Sequence, residues 1–200
     1  LTTRDTIHQY LADAVTIIGM ISQPDIESIV ARLYQAWEDA ATVFIIGNGG
    51  SASTASHFAC DLAKTTIVPG KKRFKVICPV DNVPLVSAWT NDNGFDSIYA
   101  EQMEPFLQRG DVVIAISVHG GIGADQGGVW SQNLLRAVYL AKERGATCIG
   151  FSGFDGGALA RLADFSVVVP FPSTPQVESF HAMLEHLVCV CLRERIETTP

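Results

Sequence analysis

The chain has 200 residues, 48% of them hydrophobic and 18% charged, which is enough apolar material for a full core, and this length most often means one domain. A formal net charge of -7 argues against a nucleic-acid surface, which needs clustered Lys and Arg; the one basic cluster, Lys71-Lys72-Arg73, is too short to supply it. No apolar run approaches the roughly 18–20 residues of a membrane span, and Leu1-Thr2-Thr3-Arg4-Asp5 is not a secretory n-region leading into an apolar stretch, so a cytoplasmic protein without a membrane partner is expected.

From the N-terminus, Ile7, Leu11, Val15 and Ile18 recur at three-to-four spacing, as do Ile26, Ile29, Val30, Leu33 and Trp37, which predicts two amphipathic helices before any strand. Ser22-Gln23-Pro24-Asp25 supplies a start signal for the second, a capping hydroxyl ahead of a proline that helix entry tolerates. Their apolar faces must cover the rest of the chain or another subunit. From Thr42 onward short apolar runs alternate with helical stretches. Strands are predicted over 43–46, 74–78, 112–116, 148–151 and 166–169. Helices are predicted over 52–64, 83–89, 96–107, 131–143 and 158–162, with a last one carrying Val177, Phe180, Leu184, Leu187 and Cys191. This alternation implies right-handed crossovers and an α/β fold, a three-layer α/β/α sandwich on a five-stranded parallel sheet. One domain spans 1–200, with a helical pair over 1–40 and the α/β core with its C-terminal helix over 41–200. Cys60, Cys78, Cys148, Cys189 and Cys191 are odd in number and form no Cys-x-x-Cys pair, so they read as reduced core residues.

In open parallel sheets ligands bind beyond the carboxyl ends of the strands, which directs attention to three loops. Gly47-Asn48-Gly49-Gly50-Ser51 joins the first strand to a helix, where glycines admit a ligand to the backbone and the helix N-terminus favours an anion; a plain tight turn would read the same way. It lacks the Lys of a P-loop and the glycine spacing of a dinucleotide fingerprint. The segment 117–131 begins Ser117-Val118-His119-Gly120 and holds five glycines before a helix opens at Ser131, an entropic cost that suits a ligand-clasping loop better than a connection. Thr90-Asn91-Asp92-Asn93-Gly94-Phe95 is a polar turn that could hold sugar hydroxyls or cap the next helix. His57 and Asp61, four apart on a predicted helix, share a face as a metal pair, an acid–base pair or a simple surface contact would. On the last helix Glu178, His181 and His186 are polar groups that need partners, which the first helix could supply.

Taken in order, these motifs resemble the SIS family and, within it, the phosphoheptose isomerases, from the N-terminal helices to Arg195. The resemblance rests on Gly47-Asn48-Gly49-Gly50-Ser51 followed by 57–62, Asn91–Phe95 as a unit, 110–117, Ser131 opening a helix, Gly156-Gly157, and Val177-Glu178 with His181 and His186. It implies the SIS fold, a homotetramer, and aldose–ketose isomerisation of a sugar phosphate, typically sedoheptulose 7-phosphate to D-glycero-D-manno-heptose 7-phosphate through an enediol. It further implies Asp61 and His186 as the acid–base pair, with Asp61 standing where the family has a glutamate and Glu178 where it has a glutamine, so that Glu178 could serve as a second carboxylate. By the same transfer His57, Asp61, Glu178 and His186 form a zinc set, one ion per subunit. Substrate contacts are expected from Asn48, Gly49, Gly50, Ser51, Asp61, Asn91, Asp92, Ser117, Val118, His119, Ser131 and Glu178.

The chain departs from the family in the phosphate loop. Two hydroxyls are replaced by Val118 and His119, and a Gly-rich insertion over 120–130 follows; His119 and glycine amides could compensate as an anion nest. Gln126, Trp130 and Gln132 could complete the pocket of a neighbouring subunit. Two further readings stay open: an isomerase of another sugar phosphate, and a non-catalytic SIS scaffold or sensor of the type that binds a replication initiator.

Overall fold

The computed structural model of the chain describes residues 2–121 and 131–199. Its five apolar runs pair as β1 (Thr42–Gly47), β2 (Lys75–Ile77), β3 (Val112–Ser117), β4 (Thr147–Gly153) and β5 (Phe165–Val169), all parallel, in the order β2-β1-β3-β4-β5. The chain winds outward from β1 to β2 in one direction and from β3 through β5 in the other. The strand order therefore reverses between β1 and β3, where the carboxyl ends leave a crevice. In register, Val43 faces Val112 and Ile46 faces Ala115.

The helices are α1 (Thr3–Ile18), α2 (Gln23–Glu38), α3 (Gly50–Lys64), α4 (Val83–Asn93), α5 (Ala100–Met103), α6 (Gln132–Arg144), α7 (Gly157–Leu162) and α8 (Thr174–Thr198). Alternation along each strand divides the apolar residues between two cores. Val43, Ile45, Ile114, Ile116 and Phe151 pack under α2, α3 and α8 against Leu33, Phe58, Phe180 and Leu184. Phe44, Ile46, Val113, Ala115 and Cys148 face Ile98, Tyr99, Met103, Leu134 and Val138 on the opposite side. Ser22 caps α2 as its sequence foretells, accepting from the Asp25 amide at 3.4 Å.

The helix predicted over 96–107 is broken. A 3-10 turn, Phe95–Ser97, leads into the one-turn α5, and Pro105, which cannot donate a helical hydrogen bond, follows within two residues of its end. The polar turn predicted at 90–95 is largely helix, because α4 runs through Asn93 and stops at Gly94, whose φ of 94° leaves the helical region. Asn82 caps α4 by accepting from the Leu85 amide at 3.3 Å, with Pro84 in the first turn. Cysteine burial is mixed: Cys148 and Cys189 are buried, but Cys60 is exposed on the outer face of α3.

Only α2 of the two N-terminal helices is covered. It packs on α8 and β5, whereas α1 leaves Ile7, Leu11, Val15 and Ile18 between 56% and 72% exposed. Among α1's anchors is its backbone, where the Gln176 side chain donates to the Tyr10 carbonyl at 2.8 Å. No single described helix is long and apolar enough to cross a membrane.

Candidate active site

At the strand-order switch, β1 ends in Gly47 and α3 begins three residues later. Gly49 takes φ 56° and ψ -124°, a conformation that L residues rarely adopt. A side chain at Gly47 would collide with the backbone of Ser51. The turn is held from the far side by two groups that sequence patterns do not single out. Asn133 and Asn48 pair their amides reciprocally, at 2.9 and 2.7 Å. The Tyr99 hydroxyl donates to the Gly47 carbonyl and also lies 3.2 Å from Asn48 Oδ1. Tyr99 and Asn133 are each 1% exposed, and only tertiary folding brings them to this loop.

A cavity of about 290 Å³ opens beside the turn, close to the lower end of the roughly 300–1,000 Å³ usual for small-molecule sites. Asn48, Gly49, Gly50, Ser51, Ser117, Val118, His119, Ser131 and Glu178 all line it. The N-termini of α3 and α6 both reach it, so backbone amides and two helix dipoles favour an anion there. Ser131, at the start of α6, is held at φ 58° in the left-handed region, a strain tolerated where surrounding structure fixes it. The α7 N-terminus is already occupied: the Leu159 and Ala158 amides donate to the Gly120 and Gly121 carbonyls at 2.7 and 3.1 Å. This pins the loop after β3 onto the Gly156-Gly157 turn, and the His119 ring lies 4.4 Å from that of Phe154. Gly50 has its own reason. The Glu178 carboxylate occupies the space any β-carbon there would need.

A second group of side chains lies further along the same two helices. α3 and α8 run side by side in the same direction, so Gly50 meets Glu178 and His57 meets Glu185. His57, Asp61, Glu185 and His186 each offer an atom that could hold a metal ion, all within 4.8 Å of one another. Asp61 Oδ2 lies 3.8 Å from His57 Nε2 and 3.5 Å from His186 Nε2; Glu185 Oε1 is 3.5 Å from both His57 Nδ1 and His186 Nε2. His186 Nδ1 sits 2.7 Å from the Ala182 carbonyl, which can only accept, so Nδ1 carries a hydrogen and Nε2 is the nitrogen turned toward the group. Burial pushes the Glu185 carboxyl up, with Asp61 adding to the effect and His186 opposing it.

The structure brings three members of the expected metal set together and holds the fourth apart. His57, Asp61 and His186 come together, but Glu178 is not with them; it faces the cavity, seven residues before Glu185, about 10 Å along the helix. Glu185 was not singled out in the sequence, because a carboxylate beside His186 looks like an ordinary surface charge. Asn91 and Asp92 are exposed at the end of α4, bonded to each other at 2.6 Å, and do not line the cavity. Gln132 is half-buried in the first turn of α6. Gln126 and Trp130 lie outside the described residues.

His181 serves the fold. Its Nε2 donates to the Ser152 carbonyl at 3.0 Å, and burial depresses its pKa to about 4. The folded state favours the neutral ring, so this stability is present above the unfolded pKa near 6.5 and lost as pH falls toward 4. Urea unfolding should therefore show the wild type losing about 2 kcal/mol more than His181→Gln between pH 7 and pH 4.5.

Residues 9–153 match the family model described as SIS domain, and the chain belongs to that family. Its place there is among the phosphoheptose isomerases: it is 36% identical over 160 residues to that enzyme from Nitratiruptor sp., covering 80% of each chain. It is also 44% identical over 188 residues to the lincomycin biosynthesis protein LmbN of Streptomyces lincolnensis, spanning 92% of this chain and 67% of that protein. The solved structure of phosphoheptose isomerase from Neisseria gonorrhoeae superposes with a TM-score of 0.85 at 25% identity, covering 96% of this chain and all of that one. The chain is thus a sugar-phosphate isomerase of the aldose–ketose class.

Proposed function

We propose that the enzyme interconverts sedoheptulose 7-phosphate and D-glycero-D-manno-heptose 7-phosphate through an enediol, with Asp61 and His186 as its acid–base pair. The observation that carries this is the 3.5 Å approach of Asp61 Oδ2 to His186 Nε2 on neighbouring helices, about 10 Å along α3 and α8 from a cavity suited to an anion. The phosphate would sit on the amides of Gly49, Gly50 and Ser51 and at Ser117 and Ser131, with His119 at the rim. Asp61 takes the proton from C1 of the ketose, breaking that C–H bond as the C2 carbonyl oxygen gains a proton to give the enediol. His186 moves the proton between the two oxygens. Return of a proton to C2, with loss of the O1 proton, forms the C1 carbonyl of the aldose. Glu178, at the cavity wall, is the second carboxylate placed to bind sugar hydroxyls or to replace Asp61 as base.

His57, Asp61 and His186 have the donor types zinc prefers, and neighbouring donor atoms 3.5 to 3.8 Å apart approach the roughly 3.3–3.4 Å of tetrahedral zinc. When bound, such an ion would polarise the substrate's carbonyl and hydroxyl oxygens. The bare apolar stripe of α1, with Met183, Leu187 and Val190 exposed on α8, supports a homotetramer.

A second reading, another sugar phosphate with the same chemistry, is favoured by Val118 and His119 in the anion loop and by the likeness to LmbN. NMR of sedoheptulose 7-phosphate incubated with enzyme, with and without chelator, decides between them. New aldose anomeric signals support the heptose reading, and their loss with chelator supports the ion. A folded chain that leaves this substrate unchanged but turns over a different phosphosugar supports the second reading; no turnover of any phosphosugar supports a scaffold or sensor.

A further inference from the structure

The turn between β1 and α3 is braced by a buried polar chain that reaches two distant parts of the fold. Asn133, in the first turn of α6, accepts at Oδ1 from the Leu134 amide at 2.9 Å. That contact fixes which way its amide points, so Nδ2 is the atom that donates to Asn48 Oδ1, at 2.7 Å. Asn48 Nδ2 returns a bond to Asn133 Oδ1 at 2.9 Å. The buried Tyr99 hydroxyl closes the chain on the Gly47 carbonyl and on Asn48 Oδ1. The segment carrying Tyr99 is itself tied to α6, where Arg136 pairs with Glu101 at 3.0 Å and Asp96 at 3.5 Å. Three pieces of chain thus form a closed triangle: the β1–α3 turn, the start of α6 and residues 95–103. An apolar cluster would fill the same space without the cost of burying amides that must find partners. What a fully satisfied amide pair adds is direction, because it fixes the separation and the rotation of the elements it joins.

We propose that Asn133 and Tyr99 are positioning residues for anion binding, which lock the β1–α3 turn to the start of α6 so that both present backbone amides to one anion in the cavity. Neither residue lines the cavity, whereas Asn48 does, so each acts through Asn48 and the neighbouring Gly47 carbonyl. A seat made of backbone amides has no long side chain to adjust, and its affinity depends on the two helix starts keeping their places. The turn cannot supply that stiffness alone. Gly49 and Gly50 leave it conformationally free, and no described side chain caps α3. The inference rests on the anion reading of the cavity and not on which sugar is turned over. Asp61 and His186 lie further along α3 and α8, so loosening the brace should act on binding far more than on proton transfer.

The experiment is calorimetric titration of the full chain with inorganic phosphate, for the wild type, Asn133→Ala, Tyr99→Phe and the double variant. Circular dichroism and a thermal scan establish that each is folded. Ile29→Val, a core change on α2 away from the turn, controls for loss of stability alone. Phosphate affinity should fall at least about tenfold in each single variant, and the double variant should lose far less than the product of the two, because both act through one turn. With the phosphosugar that the enzyme turns over, KM should rise in step while kcat stays within about threefold. Ile29→Val should melt lower yet keep wild-type phosphate affinity. Should Asn133→Ala not fold, Tyr99→Phe, which keeps the ring in the core, decides the outcome. No phosphate binding by the wild type overturns the proposal. So does wild-type affinity in Tyr99→Phe, an equal loss in Ile29→Val, or a fall in kcat with KM unchanged. A wild type that binds phosphate through this brace but turns over no phosphosugar supports the proposal and sinks the isomerase reading instead.

Discussion

Asp61→Asn should lower kcat for sugar-phosphate isomerisation by about a thousandfold, within the range that positioned general acid–base groups contribute. The substitution keeps the shape of a side chain 14% exposed between His57 and His186, so the fold should persist. What disappears is the charge proposed to accept the carbon-bound proton, and KM should change far less than kcat because the anion cavity lies elsewhere on α3. Asp61→Glu supplies the control: the longer carboxylate resembles the family's own glutamate and should retain activity within about tenfold of wild type. Steady-state kinetics alongside metal content distinguish loss of the base from loss of the ion. If Asp61→Asn turns over normally, the proton moves through Glu178, and Glu178→Gln should then be the inactive variant.

Gly157→Ala should destabilise the protein by on the order of 3 kcal/mol through backbone strain and steric conflict. Gly157 has φ 58°, and a β-carbon there would collide with the His119 carbonyl while crowding Gly120 and Gly121. These are backbone atoms that cannot swing aside. Relief requires the turn after β4 to part from the loop after β3, breaking the bonds from the Ala158 and Leu159 amides. The melting temperature should fall by roughly 10 °C for a chain of this size, and KM for the sugar phosphate should rise because Val118 and His119 move with the loop. Gly50→Ala makes a useful contrast. There the obstruction is the end of the Glu178 side chain, which can rotate, so stability should change little while substrate affinity falls.

The central strands were legible because each is a short apolar run bounded by turn residues, and burial on both faces requires that composition; at the edge β2 keeps only Lys75–Ile77, with Lys75 exposed. The helix pattern held for α2, α3, α6 and α8, where one face meets the sheet. It failed around α5, since Pro105 outweighed a periodicity that composition alone suggested. The Gly-Asn-Gly-Gly-Ser turn was visible as a motif and His57 with Asp61 as local spacing on one helix; His186 stood out as a polar group on the last helix, and its role entered through resemblance. Glu185, Asn133 and Tyr99 were not visible, because what distinguishes them is burial and the partners they meet.

By itself, then, the amino-acid sequence determined the parallel α/β architecture, the anion-suited turn after β1 and one helix face bearing His57 and Asp61, all consequences of local backbone preference and hydrophobic period. The tertiary structure alone decided which residues of α8 meet that face. Two helices packed side by side join side chains by height along their axes and by rotation about them, and neither can be read from one strand of sequence. That is why Glu178 stands over Gly50 at the cavity and Glu185, two turns later, closes the ring of histidines and carboxylates.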